Sequence, residues 1–187
     1  MGTRSVVARP TDDGFKGRYI HWDGYPTGVG ASLLAIVQRD GVDKALETLT
    51  DLNYGWSNLD EEHPAVFSEH GGKTDPGHGD GRFRAVENYG TAYTTVSGQS
   101  HPDEWITDTS DDWGTEWAYV LYPFHMVVLE RVWNDGGHMT GMFGVGAAEG
   151  DGTWRIIGEV IYSTSDADRL NELEERAARL HATEEVS

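Results

Sequence analysis

The chain has 187 residues, no cysteine, and 32 Asp and Glu against 14 Lys and Arg, for a formal net charge of −18. Without cysteine there is no disulfide framework, thiolate zinc site or cysteine nucleophile, and the deficit of cations removes phosphate-backbone recognition as a basis for function, so nucleic acid is not an expected partner. Seven Trp, eight Tyr and five Phe supply enough large apolar area to exclude a disordered acidic chain.

Arg4–Pro10 and Phe15–Asp23 read as two strands of an antiparallel hairpin joined by Asp12-Asp13-Gly14. Gly24-Tyr25-Pro26 ends the second strand. Thr27 is then placed as N-cap of a helix over Gly28–Arg39, with Val29, Leu33, Ile36 and Val37 at helical spacing, and a second helix fits Val42–Leu52. From Asn53 to about Gly114 the periodicity fades. Gly, Asp, His and Pro accumulate there, most densely in His70–Gly81, and only Arg82–Val86 and Thr91–Val96 read as short strands. Glu116–Tyr122, His125–Trp133 and Thr153–Tyr162 are rich in β-branched and aromatic residues and form a meander, with Met139–Ala147 as an intervening Gly-rich strand. Thr164 or Ser165 caps a last helix, Asp166–Ala182, whose Leu170, Leu173, Ala177 and Leu180 make a narrow apolar stripe.

The expected fold is a single α+β domain over 1–187: a mainly antiparallel sheet with helices on one face, a long Gly/His-rich irregular region and a C-terminal amphipathic helix. Its parts are a hairpin with two helices (1–55), the irregular region (56–115), the meander (116–163), and the last helix and tail (164–187). The longest apolar run, around Ala31–Val37, is far short of the roughly 18 residues that span a bilayer. The first ten residues contain no apolar stretch of signal length. The expectation is a cytoplasmic protein without a membrane partner.

The sharpest local signal is Tyr19-Ile20-His21-Trp22-Asp23-Gly24-Tyr25-Pro26-Thr27-Gly28-Val29-Gly30, a strand running through a turn into a helix start. In the strand over Phe15–Asp23, His21 and Asp23 are expected to share a face, with Trp22 on the other, as an oriented imidazole or as two metal ligands. Amides at Gly28–Gly30 with Arg18 nearby would suit an anion at the helix N-terminus. The ligand-binding candidates are therefore Arg18, His21, Asp23, Tyr25, Gly28 and Gly30. His70, Asp75, His78 and Asp80, with His63 upstream, are the right donor types for a divalent cation, though no fixed template matches their spacing. Asp108, Asp111, Asp112 and Glu116 are dense enough in oxygen for Ca²⁺ but lack the alternating EF-hand pattern. Nothing resembling a nucleophile elbow, Walker loop or dinucleotide fingerprint occurs, so no catalytic residue is assigned and no cofactor beyond a divalent cation is expected.

Met1-Gly2-Thr3-Arg4, the segment His21-Trp22-Asp23-Gly24-Tyr25-Pro26 and the later Gly114-Thr115-Glu116-Trp117-Ala118-Tyr119-Val120 together resemble a family without assigned activity that is frequent in bacteriophage genomes and sporadic in bacteria. The resemblance implies a phage or prophage accessory protein in the bacterial host cytoplasm, binding a host or anti-phage defence protein. Two other readings stand beside it: a small-ligand protein that sequesters a nucleotide-like signal, alone or as a homo-oligomer, and a metal-dependent hydrolase built on His21 and Asp23 with the loop histidines.

Overall fold

The computed structural model describes residues 3–53, 55–62, 83–93, 105–109, 114–133 and 152–184. Its strands are β1 (Ser5–Pro10), β2 (Phe15–Ile20), β3 (Trp56–Leu59), β4 (Phe83–Val86), β5 (Gly90–Tyr93), β6 (Ile106–Thr107), β7 (Trp117–Leu121), β8 (His125–Trp133) and β9 (Gly152–Ile161). They form one sheet in the order β4-β5-β3-β2-β1-β7-β8-β9, with β6 also pairing β2. Two pairings are parallel, β1 with β7 and β2 with β3; the other six are antiparallel. The fold is α+β, with the mainly antiparallel sheet that the sequence implies.

Two turns of π-helix frame the first helices. Pro26–Gly30 winds directly into α1 (Ala31–Asp40), and α2 (Val42–Leu46) runs on as Glu47–Asp51. Between α1 and α2 stands Gly41 at φ 81, a left-handed conformation that glycine adopts without steric cost, and its amide closes α1 on the Val37 carbonyl. The C-terminal helix α3 spans Ala167–Glu184, with the Asp166 carboxylate accepting from the Asp168 amide at its start. Thr27 is not an N-cap: it lies inside the first π turn, and the capping position belongs to Tyr25, whose side chain makes no cap bond.

Strand periodicity divides the buried side chains. Val7, Ile20, Trp56, Tyr119, Leu121, Met126 and Val128 pack with Leu33, Ile36 and Val37 of α1, Ala45 and Leu49 of the second helical stretch, and Leu170, Leu173 and Ala177 of α3. Val6, Ala8, Phe15, Tyr19, Ile106, Ala118, Val120 and Leu129 form a second cluster that contains no helix residue. All three helices thus cover one face. Among the described residues no helix is long and apolar enough to cross a membrane.

Candidate functional site

The segment His21–Gly30 folds as a turn clamped from three sides. β2 ends at Ile20, yet the His21 and Trp22 amides still donate to the Trp56 and Ser57 carbonyls, at 3.0 Å each, so both residues remain tied to the β3 side. Asp23 then takes φ 55, an uncommon conformation that Asp tolerates better than most residues. Gly24 presses against β1: a methyl on it would stand 2.7 Å from the Arg4 carbonyl carbon and 2.8 Å from the Thr3 oxygen. Its carbonyl accepts from the buried Tyr119 hydroxyl at 2.7 Å.

This geometry overturns the anion site expected at the helix start. The Thr27 amide and hydroxyl both donate to the Glu174 carboxylate of α3, at 3.1 and 2.8 Å. The Gly28 amide donates to the Tyr25 carbonyl at 3.0 Å, and the Val29 amide to the Asp23 carbonyl at 2.8 Å. The positive end of the helix has taken the chain's own carboxylate. Gly28 lies under the Tyr25 ring and Gly30 is buried against Tyr119 and Leu170. Nor do His21 and Asp23 pair. With β2 ended and φ inverted at Asp23, the alternation that would put them on one face is broken; Asp23 is exposed, and the His21 ring bonds Tyr19 instead. Arg18 lies on the helix-bearing face, donating from Nε to the Thr50 carbonyl at 3.0 Å, with its guanidinium 4.0 Å from the Trp105 ring centre. It does not join the other candidates.

What gathers around His21 is a different set. Ser5 is paired with both Ile20 and Trp117, and Trp117 with Glu130. One residue beyond those pairs, His21, Arg4, Glu116 and Arg131 stand in a row on adjacent strands, on the face without helices. Backbone bonds hold the row: the Glu116 amide donates to the Arg4 carbonyl at 2.9 Å and the Arg131 amide to the Glu116 carbonyl at 2.8 Å. Tyr19 sits two residues before His21 on the same face. Its hydroxyl lies 2.8 Å from His21 Nδ1 and is also hydrogen-bonded by the Arg4 guanidinium. Burial pushes the Tyr19 hydroxyl up to about 12, against the lowering effect of Arg4. Tyr19 therefore keeps its proton at neutral pH. Because Arg4 can only donate, the Tyr19 oxygen accepts from it, while the direction of the Tyr19–His21 bond is set by the imidazole tautomer.

Neighbouring groups extend the set. The Tyr93 hydroxyl is raised by burial and by the adjacent Tyr19, with Arg4 opposing. Burial likewise raises the Glu116 carboxyl, against the Arg4 amide and charge. Arg131 is buried, its guanidinium 4.6 Å from the Trp133 ring centre and 5.5 Å from that of Trp154. At the outer end of the row Trp22 is 47% exposed, its ring edge-on to His21 at 4.5 Å. Chemically this is two guanidiniums, one carboxyl, two phenols and an imidazole beside an exposed indole. Such a set suits a planar, anionic molecule.

Of these residues sequence reading singles out His21 as a ligand-binding candidate and Glu116 only as a Ca²⁺ oxygen donor beside Asp108. The period-2 placement of Tyr19 with His21 was readable; the arrival of Arg4, Glu116 and Arg131 needs the parallel β1–β7 pairing. The expected cation set His70, Asp75, His78 and Asp80 lies outside the described residues, as do Asp111 and Asp112. Asp108 and Glu116 do not converge. Asp108 abuts Gly14 at the start of β2 while Glu116 is level with His21 at its end, roughly 20 Å apart at the usual rise per strand residue. Among the described residues no three His, Asp or Glu could hold a metal ion together. A groove of about 370 Å³ lies elsewhere, beside β4, where Arg84 and Asn53 are bonded to each other. We assign the site to the row because chemically competent side chains converge there. Comparison of the chain with protein-family models, curated proteins and solved structures yields no match.

Proposed function

We propose that the chain is a binding protein that holds a small, nucleotide-like anion at the His21–Asp23 turn and the Arg4–Tyr19–Glu116 row, acting in the bacterial host cell as a phage-type accessory protein. The observation that carries this reading is the hydrogen-bonded chain Arg4–Tyr19–His21 ending beside the half-exposed Trp22. A guanidinium supplies charge-assisted bonds to a phosphoryl group, and an indole with one free side supplies a stacking surface for a base. Calorimetric titration against a panel of nucleotides and cyclic nucleotides tests it. Binding by at least one, weakened tenfold or more in Trp22→Ala and His21→Ala, supports the reading, and a silent panel removes it.

A second reading, occupancy of a host or defence protein, draws on a separate feature. Phe124 is 80% exposed and adjoins Ile161 of the terminal strand β9, through the Tyr162 amide on the Phe124 carbonyl and the pairing of His125 with Ile161. Exposed apolar anchors in a chain of net charge −18 fit an interface with a basic partner. A lysate protein retained by the wild type and lost with Phe124→Asp would support it; equal retention by both would not.

A further inference from the structure

The opposite face of β2 carries a second concentration of charge. Arg9 of β1 stands directly opposite Lys16 of β2, with Arg18 two residues along, and Trp105 joins them at the entry to β6. The Lys16 ammonium lies 5.0 Å from the Trp105 ring centre, the Arg18 guanidinium 4.0 Å and the Arg9 guanidinium 5.9 Å. Like charges directly opposite on neighbouring strands repel, and three of the chain's 14 cations share this spot. Their compensation is uneven. Arg9 donates to Thr50 Oγ1 at 2.6 Å and to the Asp51 carboxylate at 2.7 Å, but its Nε is buried with no hydrogen-bond partner. Arg18 is bonded to the Thr50 carbonyl. Among the described residues Lys16 has the Trp105 ring and no oxygen partner.

We propose that Arg9, Lys16 and Trp105 form an oxyanion site for a phosphoryl group, distinct from the row around His21 and on the other face of the sheet. A compact ammonium beside a guanidinium suits a tetrahedral oxyanion, and its arrival relieves the Arg9–Lys16 repulsion. The indole limits water around the bonds. The site takes inorganic phosphate or the phosphate of a mononucleotide.

The test is thermal unfolding and calorimetry of the full chain with inorganic phosphate and, separately, with AMP, against chloride at matched ionic strength. Phosphate should raise the midpoint above that in chloride. Lys16→Gln should weaken phosphate binding at least tenfold while keeping the wild-type circular dichroism, and Arg179→Gln, which removes one exposed cation of α3, should leave it unchanged. Binding of AMP but not inorganic phosphate, with the same loss in Lys16→Gln, would assign the esterified form. The same midpoint in phosphate and chloride together with no AMP response that Lys16→Gln abolishes, an unchanged response in Lys16→Gln, or a response lost only in Trp22→Ala would each overturn the proposal. That last outcome would return the anion to the first site.

Discussion

Tyr19 is the residue on which the site turns, because one hydroxyl serves both Arg4 and His21. Replacing it with Phe removes the hydroxyl that both Arg4 and His21 bond in a part-buried setting, a change expected to cost about 1–3 kcal/mol near neutral pH in urea unfolding. That contribution declines in alkali. The Tyr19 hydroxyl is raised from 10.0 to about 12, so its contribution is fully present below pH 10 and is lost as pH climbs toward 12. That shift corresponds to about 2–3 kcal/mol. Stability measured from pH 9 to 12 should therefore fall less steeply in Tyr19→Phe than in the wild type, the remaining slope coming from tyrosines such as Tyr93 and Tyr119, which burial also raises. Parallel curves for the two proteins would contradict the assignment of Tyr19.

At the scale of elements, the contact that replaces an external anion is Glu174 of α3 on Thr27. Glu174→Ala should cost about 1–2 kcal/mol by uncapping the first turn, and hydrogen exchange should quicken at Thr27 more than within α1. A comparable brace joins the end of α1 to the β4–β5 turn. Arg39 beside it, seconded by the Tyr89 hydroxyl at 2.6 Å, holds the Asp40 carboxyl down at about 2. Stability from Asp40 is present above the ordinary value of 3.8 and declines as pH falls toward 2. Tyr89→Phe should cost about 1 kcal/mol at pH 7 and less at pH 2, read from urea midpoints. Most elements were legible from periodicity: the first hairpin, both early helical stretches, β7, β8, β9 and α3 stand within a few residues of their expected spans. β3 was missed because Trp56-Ser57-Asn58-Leu59 is short and polar in its middle, although Trp56 is fully buried and donates to the Leu49 carbonyl. β6, two residues long, carries no pattern at all. The site was legible only at Tyr19 and His21, since neighbours on one strand can be read from alternation whereas Arg4 and Glu116, 112 residues apart, meet through tertiary pairing.

For the molecule as a whole, the charge of −18 makes the folded state self-repelling. Raising sodium chloride from about 10 to about 150 mM shortens the screening length from roughly 30 to 8 Å and should raise the melting temperature; a falling temperature would show that attractive pairs dominate. Against that acidic background the guanidiniums of Arg4 and Arg131 flank Glu116 on the helix-free face, and the proposed anion binding draws on that placement. The account therefore rests on binding at the row. Calorimetry of the wild type, Trp22→Ala and His21→Ala with the nucleotide panel at one fixed ionic strength measures this directly. The account predicts saturable binding of at least one nucleotide by the wild type and at least tenfold weaker binding by both variants. Equal affinity in all three proteins, or no heat from any nucleotide with the wild type, would contradict it.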